Sequence, residues 1–269
     1  MRQRFSDRKV HEFFRRHGLP GSITYFNSGG RRIRYIRIHN GAAATIFFIP
    51  GAPASLDLYR DYYTHSRLRE RFDMIAVDRP GYGGSGYGRP EPSVARQSSM
   101  MLDLLDREKR LPHPLLICAG SYGASIACRI LMDRPAAADG LLLDCPSLAP
   151  GEEKYFWFTG AIEKTFLKQI IPPHYRSANS EKYHHRRELA EMLPYWEKVR
   201  VPVIYVQGEK DNIVYTSNAE FAKARLVNVP FLEVVMVPGR KHLTILREVP
   251  LIVSKLISLY RKVIPAHAR

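Results

Sequence analysis

Apolar positions along this chain come in short blocks. "ATIFFI" (44–49), "DMIAV" (73–77), "PLLICA" (114–119), "DGLLLDC" (139–145), "VPVIYVQ" (201–207) and "FLEVVMV" (231–237) are compact apolar runs. Such runs, bounded by turn residues, predict buried strands. "RRIRYIRI" (31–38) alternates instead and predicts a strand with Ile33 and Tyr35 on one face. Helical spacing marks "VHEFFRRH" (10–17), "PSVARQSSMMLDLLDREK" (92–109), "SYGASIACRILMD" (121–133) and "PLIVSKLISLYRK" (250–262). Strands alternating with helices predict the α/β class, a mostly parallel sheet with helices on both faces. The rhythm breaks at 149–198, where aromatics ("KYFWF") and "IIPPHY" occur. That stretch predicts a helical insertion lying over the sheet edge, within one domain spanning 1–269.

"DRPGYGGSGYG" (78–88) places Gly81, Gly83 and Gly86 in G-x-G-x-x-G spacing after an apolar run. A dinucleotide fingerprint must open directly into a helix, because the pyrophosphate rests on that helix's N-terminus. Here "GRPEP" follows, and no helix can start before about Ser93. The loop therefore predicts a glycine-bent crossing between strand and helix, and no cofactor is expected.

The formal charge is +15, concentrated at the ends. Arg2, Arg4, Arg8, Lys9, Arg15, Arg16, Arg31, Arg32, Arg34 and Arg37 face only Asp7 and Glu12, and the tail carries Lys255, Arg261, Lys262 and Arg269. A positive field attracts anions over long range. It admits an anionic carrier or substrate, but also a merely soluble surface. No nucleic-acid module accompanies it. No apolar run is long enough to span a bilayer. "MRQRFSDRKVHEFFRRHG" lacks the apolar core of a secretory signal. Cys118, Cys128 and Cys145 lack framework or metal spacing, which predicts reduced, buried thiols and a cytoplasmic setting. The adjacent pair His184 and His185 would point about 100° apart on a helix, a surface pattern and not a ligand pair.

"LLICAGSYGAS" carries the chemistry. A buried strand runs into Ala119-Gly120-Ser121-Tyr122-Gly123 and a helix begins at once. This is the pattern of a nucleophile elbow, which strains the serine backbone and lifts its Oγ off the sheet. Serine needs a base, and the base needs an orienting acid. Asp211 follows "VPVIYVQGEK" and His242 follows "LEVVMVPGRK", both just past strand C-terminal ends, where open α/β sheets present their sites. Asp144, ending "GLLLD", is a rival acid, with Asp211 preferred by loop position. The backbone N–H groups of Tyr122 and of Ala52, in "FFIPGAPAS", are the candidate oxyanion donors.

In this order the motifs resemble the α/β-hydrolase-fold serine hydrolases. "PGAP" is similar to the family's His-Gly-x-Pro oxyanion loop, with Pro50 where relatives carry His. "DRPGYGGS", "GSYG", "GEKDNIV" and "GRKHLTILREVP" resemble its glycine, elbow, acid and histidine segments, from about Arg31 to the C-terminus. The resemblance implies a sheet of the α/β-hydrolase type with a short cap. It implies hydrolysis of a carboxylic ester through an acyl-enzyme, with Ser121, Asp211 and His242 catalytic. Relatives with epoxide hydrolase or dehalogenase activity use an aspartate nucleophile, which Ser121 argues against. Carrier-tethered acyl groups, C–C or peptide bonds, and non-catalytic ligand binding remain alternatives. Tyr155, Phe156, Trp157 and Phe158 either line an acyl pocket or pack the insertion onto the core.

Overall fold

The computed structural model describes residues 5–108 and 111–267; Arg2, Arg4 and Arg269 of the basic termini lie outside the described residues. Eight strands form one sheet: β1 (Gly21–Ser28), β2 (Arg31–Ile38), β3 (Ala44–Ile49), β4 (Phe72–Val77), β5 (Leu115–Gly120), β6 (Gly140–Asp144), β7 (Val203–Gly208) and β8 (Leu232–Val237). Their spatial order is β1-β2-β4-β3-β5-β6-β7-β8. Pairing is antiparallel for β1 with β2 and for β2 with β4, and parallel thereafter.

Each of the β3 to β7 strands is buried along its whole length. Continuous apolar runs suit them, because helices cover both faces. On one face the helices Val94–Arg107 and Tyr122–Asp133 pack onto the sheet through Met100, Leu104, Ile126 and Ile130. On the other, Val10, Phe14, Ile252 and Leu256 seat the helices Asp7–Arg16 and Val249–His267. No helix among the described residues is long and apolar enough to cross a membrane.

Two expectations change. The sequence pattern does not single out β1, whose apolar residues are interleaved with Ser, Thr and Asn. β2 is not half-exposed: Ile33, Arg34, Tyr35 and Ile36 are all buried. Arg34 is tolerated there because its guanidinium pairs with Asp78 at 2.6 Å and Asp7 at 2.7 Å. Arg31 likewise bonds the carbonyls of Arg89 and Pro90. Part of the N-terminal charge is thus internal structure.

Asp78 also explains the glycine loop. Its carboxylate, wholly buried, accepts from the N–H groups of Leu56 at 2.9 Å and Gly84 at 2.7 Å, and from Arg34. Gly83, at φ 49°, passes so close that a Cβ there would sit 2.1 Å from the carboxylate. The loop folds around the chain's own anion where a phosphate fingerprint would hold a ligand. The next helix starts only at Val94, capped by Ser93.

Between β6 and β7 lie the helices Thr159–Lys164, Leu167–Ile170 and Pro173–Met192. They do not cover the sheet edge. Ser177 bonds the Gly81 carbonyl and Glu181 pairs with Arg79, so the long helix sits over the C-terminal ends of the central strands.

Candidate active site

β5 ends at Gly120, and Ser121 caps the helix Tyr122–Asp133 with φ 50°. A positive φ is costly for a residue with a Cβ, and such strain persists only where the surroundings impose it. The surroundings are visible. The Ser121 N–H donates to the Asp144 carbonyl at 2.8 Å. A Cβ on Gly123 would meet the carbonyls of Ile49 and Pro50 at 2.5 and 2.6 Å, so only glycine lets the helix come this close to β3. The turn puts Ser121 at the positive end of a helix.

His242 reaches it from the segment after β8, its Nε2 3.1 Å from Ser121 Oγ. Its Nδ1 lies 2.8 Å from Asp211 Oδ2. Asp211 is fixed by the turn after β7, where its Oδ1 accepts from Ile213 and Val214 N–H at 3.0 Å each. Burial pushes this carboxyl up, but the bond to His242, the charge of His242 and those two N–H groups together hold it below the usual range. An ionised carboxylate only accepts. The proton of His242 therefore sits on Nδ1, leaving Nε2 to accept from the serine hydroxyl. Asp144 takes no part in this chain. It accepts from Thr244, its Oδ2 has no partner among the described residues, and burial pushes its carboxyl up to about 6.

The loop after β3 passes directly over the serine, for a Cβ on Gly51 would sit 2.9 Å from Ser121 Cβ. Arg79, wholly buried, grips this loop from behind. Its Nε donates to the Pro50 carbonyl at 2.6 Å and its Nη2 to the Gly51 carbonyl at 2.9 Å. The same guanidinium pairs with Glu181 at 2.5 Å and bonds Gln97 at 2.9 Å. In a trans peptide the N–H points opposite the C=O. Holding the Gly51 carbonyl on Arg79 thus aims the Ala52 N–H the other way. Ala52, Ser121, Tyr122 and His242 line one cavity of about 640 Å³.

The insertion supplies much of that cavity's apolar wall. Phe156 and Phe158, stacked with centroids 5.4 Å apart, both line it. Tyr155 and Trp157 do not: they alternate outward, 53% and 88% exposed. The expectation of four lining aromatics is corrected to two.

His185 is also corrected. It is 1% exposed, and only His184 is partly accessible. The 100° between neighbours sends one inward, where Nε2 lies 2.9 Å from Ser125 Oγ and Nδ1 3.0 Å from Glu153 Oε1. Glu153 also pairs with Lys182 at 2.9 Å. Burial opposes ionisation of Glu153, yet the charges of and bonds to His185 and Lys182 bring its carboxyl down to about 2. No short-range spacing announces this network, or the Arg79–Glu181 pair, whose members are 102 positions apart.

Cys118, Cys128 and Cys145 are free and buried, as the sequence pattern suggested. Cys145, Asp211 and His242 bring three ligand types within 4.8 Å. Burial raises the Cys145 thiol, and Asp211 is engaged with His242, so this donor set suits a metal poorly.

The family model described as the alpha/beta hydrolase family matches residues 46–253. Among curated proteins, a multifunctional-autoprocessing repeats-in-toxin from Vibrio vulnificus is 27% identical over 144 residues. That match covers 48% of this chain and 3% of the toxin. Similar solved structures include an enol-lactonase from Burkholderia xenovorans (TM-score 0.71, 13% identity, 88% of this chain and 100% of that one). An epoxide hydrolase from Vigna radiata matches with TM-score 0.70 and 14% identity over 90% and 98% of the two chains. A Pyrococcus furiosus esterase gives TM-score 0.67 and 17% identity over 93% and 95%. Their differing chemistries share the fold alone.

Proposed function

We propose from this premise — the chain belongs to the alpha/beta hydrolase family — that it is a serine hydrolase of carboxylic esters with an apolar acyl part. The observation that carries the reading is the unbroken relay from Asp211 through His242 to Ser121, opening onto a mostly apolar cavity.

In this reading His242 Nε2 takes the Ser121 proton as Oγ attacks the ester carbonyl carbon. The carbonyl oxygen becomes an oxyanion and accepts from the N–H groups of Ala52 and Tyr122. The C–O bond to the alcohol breaks, and the imidazolium returns the proton to the leaving oxygen. Water then repeats the sequence on the acyl-enzyme, with Asp211 stabilising the cationic His242 each time. Ser121 in place of an aspartate favours this chemistry over epoxide opening, and the Phe156 and Phe158 wall favours an acyl chain over a peptide.

A fluorophosphonate probe tests the nucleophile. Wild type should label covalently and hydrolyse a chromogenic ester, and Ser121→Ala should do neither, with a rate loss of about 10⁶. Retention of more than about a tenth of the activity by the folded variant rules the assignment out.

A further inference from the structure

We infer that the insertion is a docking surface for an anionic lipid bilayer, with Trp157 as its inserted anchor. Exposed large apolar side chains concentrate here: Tyr155 (53%), Trp157 (88%), Phe166 (73%), Ile170 (68%) and Tyr175 (52%) all fall between 155 and 175. Soluble surfaces rarely gather so many exposed large apolar side chains in one short stretch without a partner.

The chemistry of the occupant follows from three features. First, these side chains are spread over loops and short helical turns: Tyr155 and Trp157 precede the helix Thr159–Lys164, Phe166 lies between it and Leu167–Ile170, Ile170 ends the latter, and Tyr175 stands in the first turn of Pro173–Met192. Projecting tips suit a fluid acyl layer, which closes around any shape, whereas a protein partner needs a complementary wall. Second, cations are interleaved. Between 154 and 176 stand Lys154, Lys164, Lys168 and Arg176 against the single acid Glu163. Glu163 is turned to Lys168 at 2.5 Å. Aromatic tips with flanking lysines are the composition that binds at an anionic interface. Third, the patch is continuous with the cavity. Phe158 and Tyr175 are exposed and also line it, as do Ile171 and Pro172. An acyl chain leaving the bilayer would meet apolar walls throughout. Docking itself stands whether or not Ser121 attacks an ester.

The protein carries its own reporter. It has two tryptophans, and Trp196 is buried at 2% exposure. A change in emission on binding therefore reports Trp157. Vesicles of phosphatidylcholine mixed with phosphatidylglycerol should shift the wild-type emission to the blue and carry the protein down on sedimentation. Trp157→Phe should lose the shift, and Phe166→Ser should weaken sedimentation while keeping the thermal transition. Lys164→Gln and Arg176→Gln should each weaken binding about fivefold, and salt should weaken it further. Pure phosphatidylcholine should bind less than the mixture. An unshifted wild-type spectrum with mixed vesicles overturns the proposal. So does an equal shift in Trp157→Phe. A shift that appears with protein concentration in the absence of lipid assigns the face to a second copy of this chain, and one produced only by a soluble acidic protein assigns it to such a partner; either result overturns lipid docking.

Discussion

Arg79 Nη2 holds the carbonyl of Gly51 at 2.9 Å, and the Ala52 N–H of the same trans peptide points opposite to that carbonyl. One guanidinium thus grips both the Pro50 and the Gly51 carbonyls of this loop. Arg79→Lys keeps a charge for Glu181 but cannot hold two carbonyls and a carboxylate at once, because the planar fork is lost. The Ala52 N–H should then wander. Expected is a fall in kcat of about 10- to 100-fold with little change in KM, the pattern for a donor used in the transition state. Chromogenic-ester kinetics beside a melting curve check this. A large fall in Tm with kcat intact would make Arg79 a structural residue only. Arg79→Ala is the wrong test, since stranding Glu181 in the interior costs about 3–5 kcal/mol.

Asp211 and Asp144 should separate cleanly. Asp211→Asn leaves His242 without its acceptor and should cost about 10⁴ in kcat. Asp144→Asn should leave kcat within about tenfold and change stability instead. Burial raises Asp144 from the ordinary 3.8 to about 6, so the folded state binds its proton more tightly than the unfolded chain does. Its contribution is best at low pH and is lost as pH climbs from about 4 to about 6, a swing of about 3 kcal/mol at most. Relative to wild type, the Asn variant should gain in Tm between pH 4 and pH 8. A Tm difference that does not vary with pH would show that Asp144 is ionised throughout.

Local signals made seven of the eight strands, all but β1, the elbow at Ser121 and the placement of Asp211 and His242 legible in the sequence, because each depends on residues within one strand-turn unit. What was hidden is long-range. Nothing near Arg79 names Glu181, and nothing near His185 names Glu153. The adjacency of His184 and His185 gives their angular separation but not which one faces inward. Arg31 and Arg34 read as surface charge because residues count alike in a composition, wherever their partners lie. "KYFWF" shows the opposite limit: four aromatics in a row suggest one lining, yet the backbone sends Tyr155 and Trp157 away from the cavity that Phe156 and Phe158 face.

The cavity sets a chain-length rule. Each methylene moved from water onto apolar walls gains about 0.8 kcal/mol, or about fourfold in kcat/KM. Across a series of p-nitrophenyl esters, kcat/KM should climb by about that factor per carbon and then level off once the roughly 640 Å³ is filled. Ile162→Trp, which adds bulk to the lining, should bring the plateau to shorter chains and leave the acetate rate unchanged. A flat series for wild type would exclude an acyl role for the cavity.

Glu153 should govern acid stability. Its carboxyl is 11% exposed and stands between His185 and Lys182, whose charges outweigh the burial cost and lower it from 4.5 to about 2. A carboxylate with a depressed folded value stabilises at pH above the unfolded value and stops doing so as pH falls through the folded one. Its contribution, about 3 kcal/mol, is therefore present above pH 4.5 and lost toward pH 2. Glu153→Gln removes the acceptor charge and leaves Lys182 and His185 facing each other. At pH 6 the variant should melt well below wild type. As the pH drops from 5 to 2, wild type loses the same contribution and the two melting curves should converge. Lys182→Met separates the partners: with His185 and the Ser147 hydroxyl left to hold the carboxylate, the variant's loss should begin at a higher pH than the wild type's. Curves that stay parallel across the window would mean that the network is held by packing and not by the charge on Glu153.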